Sequence, residues 1–167
     1  MAVGLIIVLA PFMLAISVAI KMDSPGPVIF KQVRITTYGR KFHIYKFRTM
    51  VAGADKIGSK VTVQGDSRIT KTGEFLRKYR LDEIPQLFNV LIGDMSFVGT
   101  RPEVEKYVHQ YNDAMKATLL MPAGITSLAS IKYKDEDQLL RNAENTDEEY
   151  VKIVLPEKMK YNLKALE

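Results

Sequence analysis

Residues Met1 to Ile20 contain no charged side chain, and no other feature restricts the folding of this chain as much. At about 1.5 Å of rise per residue, such a run makes a helix of roughly 30 Å, close to the hydrocarbon thickness of a bilayer. It is therefore expected to be a membrane segment. No basic stretch precedes it and Met22-Asp23-Ser24-Pro25 is a poor small-residue cleavage sequence, so a removable signal peptide is not expected. Pro11 stands in the middle of the run. A proline there removes one backbone hydrogen bond and clashes with the preceding turn, which kinks the helix. Two arrangements satisfy these residues: a kinked helix that spans the bilayer, or one that enters, bends at Pro11 and leaves on the same face.

Asp23-Ser24-Pro25-Gly26-Pro27 ends any helix immediately outside the apolar run. Val28 to Ile35 and Lys41 to Met50 then read as the strands of a β-hairpin, joined by Thr36-Thr37-Tyr38-Gly39-Arg40 with a glycine where positive φ is needed. The net charge of +5 is unevenly spread. Between Lys31 and Arg80 there are 13 Lys and Arg against 3 Asp and Glu, whereas Asp135 to Glu149 holds 7 acids against one Arg. A basic segment next to an apolar one points to an anionic surface, and the apolar neighbour favours phospholipid headgroups over nucleic acid. Phe30, Tyr38, Phe42, Tyr45 and Phe47 interleave with the hairpin's basic residues. A nucleic-acid binder could stack bases on them, but that reading leaves Met1 to Ile20 without purpose, and a half-buried hairpin is the default. Cysteine is absent and the only histidines are His43 and His109. Thiol catalysis, disulfides and histidine-rich metal clusters are excluded together.

Leu81 to Glu103 gathers the chemistry. Asp82 and Glu83 are adjacent acids at the start of an apolar helical pattern formed by Ile84, Leu87, Phe88 and Leu91, with Gly93 as its stop. Acids held near low-dielectric surroundings need a divalent cation or a basic partner, and such carboxylates recur in phosphoryl chemistry. Arg101 could grip a phosphate in bidentate fashion. Taken alone, Asp82 and Glu83 are also consistent with acids that merely favour a helix N-terminus. Pro85 either starts the following helix or kinks it, and Asp94 reads as a structural cap near Gly93.

Elsewhere the signals are those of packing. Val51 to Asp66 is polar, bears glycines and reads as a loop. Gly73 to Arg80 is a basic helix with Phe75, Leu76 and Tyr79 on one face. Glu103 to Leu119 is amphipathic, with Val104, Tyr107, Val108, Tyr111 and Met115 sharing a core face. Met121 to Ser130 reads as a turn followed by an extended small-residue run. Asp135 to Asn145 and Asp147 to Ala165 read as helices, the second interrupted by Pro156.

The ordered series Ser24-Pro25-Gly26-Pro27-Val28, Lys31-Gln32-Val33-Arg34, Lys46-Phe47-Arg48-Thr49-Met50, Asp66-Ser67-Arg68-Ile69-Thr70, Leu81 to Leu91, Gly93 to Gly99 and Arg101-Pro102 resembles the bacterial sugar transferases. These are the monotopic phosphoglycosyl transferases that begin lipid-linked glycan assembly. The resemblance implies transfer of a sugar 1-phosphate from a UDP-sugar to polyprenyl (undecaprenyl) phosphate, with release of UMP and a requirement for Mg2+. Carried over by position, it implies Asp82 as the nucleophile that forms a covalent phosphosugar intermediate. Glu83 becomes the carboxylate that holds Mg2+, with Asp82 beside it, and Arg101 a ligand of substrate phosphate or nucleotide. Pro102, Arg68, Lys46 and Arg48, in the matching motifs, are assigned to substrate binding with it. The family's N-terminal helix is re-entrant and broken at a proline, the place that Pro11 matches, and it lies on the cytoplasmic face of the bacterial inner membrane.

Some positions depart from that pattern. Thr100 stands where proline is common, Ala123 adds a residue between Pro122 and Gly124, and Ser127 and Ser130 replace the usual glycine and glutamine. The expectation is an α/β fold of the α+β kind: a re-entrant membrane helix over residues 1–22, and a cytoplasmic catalytic domain over 23–167 with a β-hairpin and several amphipathic helices, forming one structural unit with that helix. Its partners would be a UDP-sugar, polyprenyl phosphate and membrane phospholipid, with no nucleic acid; homodimerisation is left open. The alternative is a membrane-surface scaffold of the same fold without turnover.

Overall fold

The structure, a computed structural model, describes residues 1–54, 65–133 and 145–165. The loop expected over Val51 to Asp66 lies largely outside these residues, as does the helix expected over Asp135 to Asn145. What is described mixes helix and strand, as an α+β chain should, and falls into two compact units.

The first unit comprises residues 1–32, 43–54 and 65–93. Helix α1, Ala2–Asp23, continues through Pro11. It is long and apolar enough to cross a membrane. Ile16 and Ile20 are buried against Phe47 and Leu76, while Val8 on another face is 75% exposed. A helix apolar on all sides with most of its surface outside the protein core fits association with a membrane. Strand β1, Ile29–Ile35, pairs with β2, Lys41–Phe47, in a two-stranded sheet, both strands running on into the second unit. Phe42 and Phe47 of this hairpin are buried, which makes it the half-buried ribbon expected.

Helix α2 is Lys71–Lys78, two residues earlier at its start than the apolar pattern indicated. The cause is local: the Thr70 hydroxyl accepts from Gly73 N at 3.0 Å and caps the helix. Only Leu76 of the expected apolar face is buried. Phe75 and Tyr79 are exposed, their rings 4.9 Å apart. A 3₁₀ turn over Leu81–Glu83 follows, and helix α3, Gln86–Leu91, starts immediately after Pro85. Proline thus begins this helix rather than kinking one. Gly93 ends it at φ +85, with its N–H on Val90 O at 3.2 Å.

The second unit comprises residues 33–42, 94–133 and 145–165. At the hairpin tip, Thr37–Gly39 forms a 3₁₀ turn in which Gly39 takes φ +78 and Tyr38 takes φ +55. Strand β3, Met95–Val98, pairs in parallel with β4, Ala123–Thr126, in the register Met95 to Ala123 and Val98 to Thr126. The chain between them breaks where one amphipathic helix was expected: α4 is Glu105–Val108, α5 is Asp113–Lys116, and a 3₁₀ turn covers Ala117–Leu120. The Asn112 side chain accepts from Met115 N at 2.9 Å, restarting the helix and competing with its continuation. The core face survives the break. Tyr107 and Tyr111 are buried with Tyr150, Val154, Leu155 and Met159, and Val104, Val108 and Met115 pack against them.

Helix α6, Leu128–Lys132, is capped by Ser127, whose hydroxyl accepts from Ser130 N and lies 2.9 Å from the Ser130 hydroxyl. The two serines that depart from the family pattern therefore form one cap, and the small-residue run turns helical after β4. Helix α7, Thr146–Glu149, passes through a π turn at Tyr150–Val154 into α8, Leu155–Lys164. Pro156 is where the widened turn ends. Lacking an N–H, it cannot supply an α-helical bond to the turn before it.

Candidate active site

Asp82 and Glu83 lie in the 3₁₀ turn and are 7% and 8% exposed. With three residues per turn, adjacent side chains diverge by about 120°. The two carboxylates can therefore address different atoms of one bound group. Arg80, which leads into the turn, sits at φ +57 and ψ +22, a left-handed conformation that costs a non-glycine residue roughly 1 kcal/mol or more. Strain of this kind persists where the surroundings enforce it. Lys46 Nζ lies 3.0 Å from Glu83 Oε1, and Arg80 Nη1 lies 4.0 Å from the same oxygen.

Four further hydrogen bonds of the first unit hold the region of this turn. Asp82, Gln86 and Asn89 recur at i, i+4 and i+7, and all three are buried. Asn89 Oδ1 accepts from Tyr45 N at 3.0 Å and its Nδ2 donates to His43 O at 2.7 Å, which fastens α3 to strand β2 beside Lys46. The Arg77 Nε donates to Thr49 Oγ1 at 2.9 Å, and Thr72 N to Asp23 Oδ2 at 2.8 Å, so α2 is tied to β2's end and to the end of α1. A polar stripe of this spacing inside an apolar helix was the signal for Gln86 and Asn89, which the motif reading passed over.

Arg48 and Arg68 have structural partners. Arg48 is 5% exposed and donates to Pro25 O at 2.5 Å and Ser24 O at 2.7 Å, carbonyls just beyond α1. A Cβ on Gly26, at φ +124, would come within 2.1 Å of Arg48 Nη1. That explains a glycine there. Arg68 grips Asp66 in a fork, Nε to Oδ1 at 2.9 Å and Nη2 to Oδ2 at 2.5 Å, and its Nη1 reaches Ala54 O. Hydrogen bonding from Arg68 lowers the Asp66 carboxyl below its usual range.

Arg101 and Pro102 belong to the second unit. Their loop is held by its backbone: Gly124 N donates to Thr100 O at 2.9 Å, Arg34 Nη1 to Pro102 O at 3.2 Å, and Ile35 N to Glu103 O at 3.0 Å. Arg101 and Pro102 line a small pocket with Thr36, Thr100, Tyr111 and Thr118. Asp94 is not a helix cap. Its carboxylate takes Arg40 Nη1 at 2.7 Å, and its carbonyl accepts from Thr36 Oγ1 at 3.0 Å, pinning the hairpin tip to the start of β3.

Among the described residues no group of three or more acid, imidazole or thiol side chains converges as a metal cage. Two adjacent buried carboxylates still fit a hard divalent ion of the Mg2+ kind, which takes one or two carboxylates and completes its shell with water and substrate phosphate oxygens. Lys46 on Glu83 Oε1 would share that carboxylate with the ion.

The long apolar first helix fits a membrane-associated chain. Residues 1–159 match the family described as bacterial sugar transferase, and the chain belongs to that family. It is 38% identical over 160 residues to the UDP-glucose:undecaprenyl-phosphate glucose-1-phosphate transferase of Escherichia coli (strain K12), covering 91% of this chain and 34% of that one. It is 48% identical over 103 residues to the UDP-N-acetylgalactosamine-undecaprenyl-phosphate N-acetylgalactosaminephosphotransferase of Aeromonas hydrophila, covering 62% and 24%. A third relative, the exopolysaccharide production protein PSS of Rhizobium leguminosarum bv. phaseoli, is 50% identical over 97 residues, covering 58% and 48%. The chain thus spans between about a quarter and a half of the length of these relatives.

Proposed function

We propose that this chain transfers a sugar 1-phosphate from a UDP-sugar to undecaprenyl or a similar polyprenyl phosphate at the cytoplasmic face of the bacterial inner membrane. The observation that carries the reading is the buried Asp82–Glu83 pair on a strained 3₁₀ turn, with Lys46 on Glu83, in a chain whose first helix suits a membrane. Asp82 is the nucleophile. Its carboxylate oxygen attacks the β-phosphorus of the donor, an O–P bond forms, and the bond to the bridging oxygen of the diphosphate breaks to release UMP. An oxygen of the polyprenyl phosphate then attacks the same phosphorus and displaces Asp82, which regenerates the carboxylate.

Each residue of the chain has a distinct part. Burial strips water from Asp82 and sharpens a weak nucleophile. Glu83, with Asp82 beside it, would hold Mg2+; that ion supplies charge neutralisation of the diphosphate. Lys46 pairs with Glu83 and adds positive charge toward the phosphates. Arg101, with Pro102 shaping its loop, grips the donor's phosphate or nucleotide. Arg48 and Arg68 serve this reading through the backbone and the Asp66 carboxylate that they hold. The basic stretch draws anionic substrates and phospholipid headgroups to the surface.

The test is release of UMP by the purified chain from a panel of UDP-sugars with polyprenyl phosphate and Mg2+. Release is expected from at least one donor, with ping-pong kinetics, and its loss on adding EDTA and recovery on restoring Mg2+. Catalysis that is unaffected by the chelator excludes the metal assignment, and no release from any donor favours the scaffold alternative.

For α1, the reading is re-entrant: both ends lie on the cytoplasmic side, and Pro11 loosens the helix where it must turn back. Because the chain has no cysteine, single cysteines at Ala2 and Ser24 report their own positions. Both are expected to resist a membrane-impermeant reagent added from outside. Labelling of the Ala2 position alone from outside would establish a spanning helix instead.

A further inference from the structure

We propose that Glu103 is a positioning residue that fixes the Arg101-Pro102 loop, through a buried cluster that brings together the hairpin, the π turn and helix α8. The inference deepens the transferase reading and rests on it, since Arg101 is there the ligand of the donor.

Glu103 follows Arg101-Pro102 directly and is 6% exposed. The Tyr150 hydroxyl donates to Glu103 Oε1 at 2.6 Å, Lys158 Nζ donates to the same hydroxyl at 3.2 Å, and Lys158 Nζ is 3.9 Å from Oε1. On the other carboxylate oxygen, Arg34 Nη1 lies 3.7 Å from Oε2 while also bonding Pro102 O. Tyr150 and Lys158 are themselves buried, with the ammonium 5.3 Å from the centre of the tyrosine ring. The carboxylate and the backbone of residues 100–103 are thus held from β1, β4, the π turn and α8.

Stability alone does not account for such a cluster. Buried ions lose hydration worth several kcal/mol each, and well-packed apolar side chains of equal volume usually stabilise as well or better. Charges in fixed positions do supply a defined geometry. The electrostatics fit that purpose. Burial lowers the Arg34 pKa, Glu103 opposes the shift and the like charge of Arg101 adds to it. Like charges push apart unless a carboxylate stands with them, and Glu103 provides it. Its loss leaves Arg34 and Lys158 facing each other without their common anion, and the loop that carries Arg101 shifts. A displaced substrate-holding group weakens its grip on the donor.

The test is a mutant cycle on the full chain, read as kcat and KM for the UDP-sugar that the wild type uses, with Tm beside them. Glu103→Gln is expected to raise KM about tenfold with kcat changed less than threefold. In an Arg101→Lys background, where the fork is already lost, it should raise KM less than twofold. Tyr150→Phe, which removes only a hydroxyl, should show the same dependence on background at roughly threefold, and it serves if Glu103→Gln does not fold. Equal KM penalties in both backgrounds, or a fallen Tm with KM unchanged, overturn the positioning role and leave the transferase reading standing. A wild-type chain that releases no UMP from any UDP-sugar overturns that reading and the positioning role with it.

Discussion

Asp82→Asn is expected to lower UMP release by about three orders of magnitude or more, the scale on which removal of a covalent nucleophile acts, while Tm stays within a few degrees of the wild type. The substitution keeps the shape of a side chain that is 7% exposed and removes only its charge. Asn keeps the volume of Asp, and neutralising a buried carboxylate relieves its desolvation cost, so turnover is expected to be lost with the fold retained. The same variant, incubated with donor and no acceptor, should show no mass increase, whereas the wild type should gain one phosphosugar. Near-normal UMP release by Asp82→Asn would remove Asp82 from the role of nucleophile. Glu83 does not share this prediction: Glu83→Gln disturbs the contact with Lys46 and should also shift Tm.

Gly124→Ala should have a large effect on stability. A Cβ at this position would stand 2.1 Å from Gly99 N, 2.4 Å from Gly99 O and 2.6 Å from Gly99 Cα. All three are backbone atoms, and no side chain can swing away to make room. The close approach is mutual, because a Cβ on Gly99 would stand 2.4 Å from Pro122 O. Relief requires separating β3 from β4, whose pairing also holds Thr100 O to Gly124 N ahead of Arg101. A loss of roughly 3 kcal/mol or more is expected, which for a chain of this size is about 10 °C in Tm. Gly39→Ala makes the contrast. Nothing lies within 4 Å of its Cβ and only φ +78 opposes the change, so it should cost about 1 kcal/mol. A Gly124→Ala variant that melts with the wild type would show that β3 and β4 do not approach in this way.

The parts of the fold legible beforehand are those set by neighbours in the chain. Twenty uncharged residues become α1, since no other environment suits them as well as an apolar one. Pro85 and Gly93 bound α3, and Gly39 turns the hairpin, each within one turn of its own position. Helix limits shifted where a side chain competed locally, as Asn112 and Ser127 do by capping short helices. Parallel pairing of Met95–Val98 with Ala123–Thr126 had no such signal. Strands of four residues carry little periodicity, and their partners are remote in sequence. Exposure was misread for the same reason: Phe75 and Tyr79 share a helix with Leu76, but only Leu76 meets Ile16, Ile20 and Phe47.

The candidate site divides along the same line. The amino-acid sequence by itself determined the apolar anchor, the Asp82–Glu83 pair, the Arg101-Pro102 motif and membership of the family, because residue type and spacing are properties of the chain. Only the tertiary structure decided that Lys46 meets Glu83, that Arg48 holds Ser24 and Pro25, that Asp94 answers Arg40, and that Glu103 gathers Arg34, Tyr150 and Lys158. A buried charge must find an opposite charge or a hydrogen bond, but nothing local says which of many will reach it, since the partner is chosen by packing across distant segments.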